Sequence, residues 1–500
     1  MGGGSVSSIN VNHLTFGYDG SYNNIFEDVS FSIDTNWKLG LIGRNGKGKT
    51  TFLKLLQGKY EYSGTISKNV DVDYFPFEVP NKNIMTIEIV NKIIPNVEDW
   101  EIIKELNLLN ANPEILYRNF NLLSGGEQVK ILLVSLFLKE NNFLLIDEPT
   151  NHLDIETRNN LADYLKNKKG FILVSHDRNF LDKVVDHIIS INNSNIEIQQ
   201  GNFSSWKENK DRQDNLEIMQ NEKLQEDINR LEIASKNIAD WSNEAEKGKR
   251  KKFNSETTID KGYVGHKASK MMKKSKSVEK RIEKSIEEKN NLLKNIDRND
   301  KIKIIPLTNN RNSLIIINNL QIKYNDKMIF RPISFDVNNG DRVAIIGKNG
   351  VGKSSILKLI LGKDLQYNGE CKVIGNLKIS YVSQNTDELK GSLKLYAKEN
   401  NVNESIFKAM LVKMGLSQRD FDTNIQNMSE GQKKKVLIAK SISERANIYI
   451  WDEPLNYIDI LTREQIEDSI LSYKPTMIFV EHDERFIDKI ATKKIYINGI

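Results

Sequence analysis

With 500 residues, 39% hydrophobic and 28% charged, the chain has material for two or more domains with full cores. Its formal net charge is only +5, no apolar run approaches the roughly 20 residues that span a bilayer, and no secretory signal precedes the first domain. A single cysteine, Cys371, excludes an internal disulfide and a Cys-rich metal site, and suits a reducing cytoplasmic setting.

Residues 1–8 (MGGGSVSS) read as a flexible tail. A first domain is expected over residues 9–205. Its β-branched runs "WKLGLIG", "NFLLID" and "GFILVSH" end directly at Gly, Asp or His. Such runs predict buried parallel strands with polar groups at their carboxyl ends. The stretches "KTTFLKLLQG" and "EQVKILLVSLFLKE" predict helices between them. Alternating strands and helices indicate an α/β fold with ligands at the strand ends.

Residues 206–300 have a different pattern. Leu224, Ile228, Leu231, Ser235 and Ile238 alternate at four and three residues, as do Met271, Ser275, Val278 and Ile282. The spacing predicts two amphipathic helices of about 30 residues, paired as an antiparallel hairpin with its tip near residues 242–265. At and beside that tip lie Lys249, Arg250, Lys251, Lys252, Lys270, Lys273 and Lys274, around Phe253, Ile259, Tyr263 and Val264. A charge run alone is by default a solvated loop. Placed on a projecting hairpin, cations that match phosphates beside groups that stack on or wedge against bases indicate RNA or ribonucleoprotein contact.

Residues 301–500 repeat the first domain. "GLIGRNGKGKTT" returns as "AIIGKNGVGKSS", "LLSGGEQVK" as "NMSEGQKKK", "FLLIDEPTNHLD" as "IYIWDEPLNYID" and "ILVSHDRNF" as "IFVEHDERF", at offsets of 304 to 306 residues. This is duplication of a whole domain.

Each copy carries a phosphate-binding loop, Gly43–Thr50 and Gly347–Ser354. Its glycines let backbone N–H groups wrap the phosphates of a nucleotide at a helix N-terminus. Lys49 and Lys353 supply point charges, and the hydroxyls of Thr50 and Ser354 suit Mg²⁺. Asp147-Glu148 and Asp452-Glu453 end apolar strands. The first carboxylate of each pair fits the Mg²⁺ environment and the second can polarise an attacking water. Only six histidines are present, and two of them, His176 and His482, end matched strands, where an imidazole can sense the γ-phosphate.

These motifs, in this order and twice over, resemble the ATP-binding-cassette ATPases. The resemblance implies two tandem ABC-type P-loop ATPase domains of α/β class, joined by a long α-helical hairpin linker, with two ATP sites and Mg²⁺. The implied nucleotide cradle comprises Gly43, Asn45, Gly46, Gly48, Lys49, Thr50 and Thr51 in one copy, and Gly347, Asn349, Gly350, Gly352, Lys353, Ser354 and Ser355 in the other. Tyr18 and Tyr324 stand where the family stacks an aromatic on adenine. The signatures are Ser124, Gly125 and Gly126, and Ser429 and Gly431. In the family each signature closes over the nucleotide held by the opposite domain. Gln384 stands at the family's Mg²⁺-ligating glutamine, joining Thr50, Ser354, Asp147 and Asp452 as metal-site residues. The first copy has Phe77 at that place. Glu430 replaces a signature glycine, which would put a carboxylate near phosphates. Leu455 and Tyr457 stand where the first copy has Thr150 and His152, so the two sites are expected to be inequivalent.

Tandem cassettes, a helical linker of this length and no membrane segment look like the ABC-F proteins, and "DTNWKLGLIGRNGKGKTT", "YIWDEPLNYID" and "QGNFS" look like their Lsa/Vga antibiotic-resistance type. That resemblance implies an ATPase that binds the ribosomal E site and inserts its linker toward P-site tRNA, 23S rRNA and the peptidyl-transferase centre. It would displace lincosamides, streptogramin A and pleuromutilins, acting as a cytoplasmic, ribosome-associated monomer without a membrane partner. The alternative is a housekeeping ABC-F translation factor with no resistance role.

Overall fold

The computed structural model describes residues 7–18, 24–151, 153–192, 195–251, 277–278, 280–282, 284–285, 289, 302–324 and 327–499. Two compact units divide it: residues 207–298 form one, and the rest of the chain, containing both copies of the duplicated domain, forms the other.

In the first copy, strands β1 (Lys38–Ile42), β2 (Asp71–Phe75), β3 (Asn142–Asp147), β4 (Phe171–Val174), β5 (His187–Asn192) and β6 (Asn195–Gln200) form a six-stranded sheet of order β2-β3-β4-β1-β5-β6. It is parallel except for the β5-β6 pair. Phe143 to Ile146 and Phe171 to Val174 are buried without alternation, as strands covered on both faces must be. The second copy has a five-stranded parallel sheet through Arg342–Gly347, Ile379–Val382, Ile448–Asp452, Met477–Val480 and Lys493–Ile497. An antiparallel sheet flanks each, built on Ser8–Phe16 in one copy and Ser313–Tyr324 in the other. All the predicted strands end where the motifs begin. Gly43, Asp147 and Ser175 follow or close their strands, as do Gly347, Asp452 and Glu481.

The copies meet through an exchange of side chains. Ile460 of the second copy is buried in the first copy's core, and Ile155 of the first packs against the second's. Each of these isoleucines opens the helix after its own carboxylate motif, Ile155–Lys166 and Ile460–Tyr473, and Asp154 and Asp459 cap those helices.

The linker helix runs from Phe203 to Lys251, 49 residues. It exceeds the roughly 30 residues that the four-three spacing predicts. No proline interrupts it, and ion pairs at i,i+4 (Lys207–Asp211, Arg212–Glu208, Lys210–Asp214) support its polar faces. Ile228 is buried, and Leu224, Leu231 and Ser235 are half-buried beside it, so the spaced stripe is the packed face. Residues described between 277 and 289 are helical. Lys289 Nζ reaches Asp227 Oδ2 at 2.6 Å, which brings the returning segment against the first helix.

Candidate functional site

The site begins at glycines that no other residue could replace at low cost. Gly46 and Gly48 have φ of 79° and 95°, and Gly350 and Gly352 have 76° and 101°. This left-handed backbone turns each loop into the N-terminus of a helix, Lys49–Leu56 or Lys353–Ile360. Both lysines are buried and fold back on their loops. Lys49 Nζ donates to Gly43 O at 2.7 Å and Asn45 Oδ1 at 3.2 Å, and Lys353 Nζ to Gly347 O at 2.8 Å and Lys348 O at 2.9 Å.

The carboxylates meet them from the neighbouring strands. Thr50 Oγ1 donates to Asp147 Oδ2 at 3.2 Å, and the same oxygen accepts from Tyr74 OH at 2.8 Å. Ser354 hydrogen-bonds Asp452, whose Oδ1 is buried with no hydrogen-bond partner among the described residues. Hydroxyl and carboxylate oxygens converging in this way, with one acceptor left over, suit a hard cation such as Mg²⁺. Gln384 Nε2 donates to Glu453 Oε2 at 2.9 Å, leaving the amide oxygen as a further hard donor. Phe77, at the matching place in the first copy, packs on the core instead.

Glu148 and Glu453 have φ of 51° and 46°, left-handed conformations that cost a non-glycine residue of order 1 kcal/mol. Their side chains thereby face His176 and His482, with Nε2 to Oε1 distances of 3.4 and 3.5 Å. Asn456 Nδ2 adds a donor to Glu453 Oε2 at 2.7 Å. The electrostatics of the pair differ. Burial, reinforced by Asp147, pushes Glu148 up to about 8. Burial would also raise Glu453, but His482, Lys353 and Gln384 outweigh it and hold that carboxyl down to about 2. Asp452 is pushed up to about 6 by burial, and His176 lies well below its ordinary value through burial and the nearby Lys49.

The tyrosines stand at matched places: Tyr18 OH lies 2.9 Å from Thr51 Oγ1 and Tyr324 OH 3.3 Å from Ser355 Oγ. Both rings are close to half exposed, so a face is open for stacking.

Ser124 and Ser429 cap the signature helices Gly125–Phe137 and Glu430–Ser443 through capping boxes with Glu127 and Gln432. The second signature lies against the first phosphate loop. A Cβ on Gly431 would sit 2.7 Å from Tyr457 O and 3.0 Å from Asn45 Nδ2. Asn45 Nδ2 also donates to Tyr457 O at 2.8 Å. At the second loop the groups brought across are Asp154, whose Oδ2 lies 3.5 Å from Asn349 N, and Glu156, 2.7 Å from Lys348 Nζ. Around Gly125 a Cβ would meet nothing within 4 Å, and Gly126 faces Leu153 and Thr157 of its own copy. Glu430 is engaged within its own copy, accepting from Thr386 Oγ1 at 2.5 Å and pairing with Lys433 Nζ at 2.9 Å. The carboxylate therefore has local partners beside the loop that carries Gln384.

Several site residues have no motif to announce them. Tyr74 and Tyr381 repeat at an offset of 307, the one signal that would have singled them out. Asn456, Lys434 and the buried Lys435–Asp459 pair at 2.7 Å gain their places only through the fold. Of the basic linker residues, Lys249, Arg250 and Lys251 lie on the helix ending at Lys251. Lys252, Phe253, Ile259, Tyr263, Val264, Lys270, Lys273 and Lys274 lie outside the described residues.

Among the described residues no helix is long and apolar enough to cross a membrane. A family model described as "ABC transporter" matches residues 26–151 and again 330–456. The ATP-binding protein Uup of Buchnera aphidicola is 31% identical, covering 98% of this chain and 80% of its own length. The ribosome protection protein VmlR of Bacillus subtilis is 28% identical, covering 95% and 85%. Among solved structures, the archaeal ribosome recycling factor aABCE1 in complex with the stalk protein aP1 has a TM-score of 0.62 at 20% identity, covering 98% of this chain and 88% of that one.

Proposed function

Because this chain belongs to the ABC-F group of ATP-binding-cassette ATPases, we propose that it is an ATP-dependent ribosome-protection factor. The observation that carries this is the likeness to VmlR, which spans 95% of the chain, both cassettes and the linker between them. In this reading the protein acts in the cytoplasm, enters the ribosomal E site and extends its basic linker toward P-site tRNA and 23S rRNA. It displaces drugs of the lincosamide, streptogramin A and pleuromutilin classes and is released on hydrolysis.

The chain's own residues have the following roles. The loops Gly43–Thr50 and Gly347–Ser354 hold the phosphates on backbone N–H groups, with Lys49 and Lys353 turning from their loop carbonyls to the γ-phosphate. Tyr18 and Tyr324 offer ring faces to adenine. Thr50 and Asp147 in one site, and Ser354, Gln384 and Asp452 in the other, hold Mg²⁺, which supplies charge neutralisation and Lewis acidity when bound. Glu453, and Glu148 once it has released its own proton, orient the attacking water and accept the water's proton, and His176 and His482 donate to the γ-phosphate. The signature helix beginning at Ser429 presents its N-terminus across the domain boundary, so that ATP joins the cassettes and its loss frees them.

The test is a Glu148→Gln, Glu453→Gln double variant, which binds ATP and scarcely hydrolyses it. It should co-sediment with ribosomes in sucrose gradients containing ATP, and its absence from ribosomal fractions would sink the reading. A housekeeping ABC-F factor is separated by drug susceptibility. Unchanged inhibitory concentrations for all three drug classes in cells expressing the chain would favour it.

A further inference from the structure

The second cassette buries a lysine to which the first has no counterpart. Lys434, on the signature helix Glu430–Ser443, is 2% exposed, whereas the repeat places Val129 at the matching position. A buried ammonium is costly unless its donors are met. Here two donors go to backbone carbonyls, Ser383 O at 2.9 Å and Glu453 O at 3.2 Å.

Both acceptors lie at the second site's working parts. Ser383 immediately precedes Gln384, and Glu453 is the strand-end carboxylate on which Gln384 donates. Glu453 also holds the left-handed backbone conformation, which surrounding bonds must maintain. The nearby negative charges include Glu481, which stands where the first copy has Ser175 and accepts from Leu455 N at 2.8 Å and His482 N at 2.9 Å.

The opposite end of the connection lies at the other site. The helix that carries Lys434 starts at Ser429 to Gly431, against Asn45 of the first phosphate loop. Gly431 and Lys434 are one turn apart, about 5 Å along a rigid rod. A displacement of the helix start cannot be absorbed before it reaches the ammonium.

We propose that Lys434 is a positioning residue that couples the two ATP sites: engagement of the Ser429–Gly431 signature at the first phosphate loop is passed through Lys434 to the Glu453 carbonyl and the Gln384 loop of the second site. With Val129 at the matching place, the first cassette has no such tie between its own signature helix and its own site. The inference rests on the ATPase assignment of both sites and not on ribosome binding.

The experiment measures ATP turnover by the full chain without ribosomes. In Glu148→Gln the first site retains ATP, and in Lys49→Ala it does not; turnover in both reports the second site. With Lys434 present, the second-site kcat should differ between these backgrounds by about tenfold. Adding Lys434→Met should bring the ratio to about one, while Lys434→Arg, which keeps a cationic donor, should retain part of it. Lys434→Gln serves in the same way should the methionine variant fold poorly. A ratio unchanged by Lys434→Met overturns the proposal, even if turnover falls in both backgrounds, since that is the mark of a merely structural role. A ratio already near one with Lys434 in place overturns it too. Turnover of the unsubstituted chain checks hydrolysis itself, so failure of the coupling and failure of the ATPase assignment are told apart.

Discussion

Asn45 of the first phosphate loop donates its side-chain amide to the backbone carbonyl of Tyr457, 2.8 Å away in the second cassette. Tyr457 presents that carbonyl from a left-handed conformation, φ 64°. Gly431 lies against both partners with no space for a methyl group: its Cβ would meet Tyr457 O at 2.7 Å. Gly431→Ala should therefore lower first-site turnover about tenfold or more, because sub-ångström misplacement is costly in an assembled site. The readout is ATPase activity in a Glu453→Gln background. Full activity of the alanine variant would show that this close approach is dispensable.

A buried ion pair joins the cassettes on one side. The Arg178 guanidinium, 3% exposed, binds the fully buried Glu467 carboxylate of the second copy and lies 3.8 Å from Asp483. The repeat puts Glu484 and Ala162 at the matching places, so no equivalent pair forms there. Arg178→Met should destabilise the protein by about 1–3 kcal/mol, because it removes the two-pronged partner of a buried carboxylate and leaves it only Lys489 Nζ, at 3.0 Å. Removing both charges in Arg178→Met, Glu467→Leu should recover part of this. Chemical denaturation of the single and double variants measures it, and equal losses in both would refute the pairing argument.

The two strand-end glutamates, Glu148 and Glu453, should have opposite effects on stability against pH. Glu148 is pushed up to about 8, chiefly by burial. Its folded form holds a proton that the unfolded chain releases, so its contribution is full below the ordinary carboxyl range and is lost as pH rises through about 8. Glu453, held down to about 2 by His482, Lys353 and Gln384 against the effect of burial, contributes above the ordinary range and loses that contribution as pH falls through about 2. In nucleotide-free, chelator-treated protein, Glu148→Gln should raise the melting temperature more at about pH 8.5 than at about pH 5. Glu453→Gln should lower it at both, by about 2 °C or more. Parallel pH profiles for the two variants would contradict the assignment.

The segment that the sequence places near the linker tip should be separable from the ATPase. Deleting residues 254–260 should leave turnover by the isolated protein within about twofold, since local contacts set site geometry. It should abolish protection against the three drug classes. Inhibitory concentrations that remain protected would make the tip a spacer.

Residues with a short-range signature were legible in the sequence. Glycines that must adopt positive φ, lysines beside them and carboxylates ending apolar runs are dictated by local backbone and strand burial, and duplication at offsets of 304 to 306 residues picks them all out. Tyr74 on Asp147, Lys434 beneath Glu453 and Asp154 beside Asn349 were not legible, because each pairing depends on which strands lie side by side or which domain faces which loop. The bond from Thr386 to Glu430 was not legible either, because that loop meets the signature helix only in the fold. The linker helix outran its expected length because the apolar stripe reports packing, whereas the helix continues for as long as nothing breaks it.

The exchanged isoleucines bear on why the two cassettes share one chain. Ile460 fills the first cassette's core and Ile155 packs on the second's, so either cassette produced alone would display an apolar hollow and an unburied isoleucine. Such surfaces invite mispairing with copies from other molecules. Covalent fusion keeps the correct partner at high local concentration through every opening, so re-docking remains an intramolecular event that dilution cannot slow.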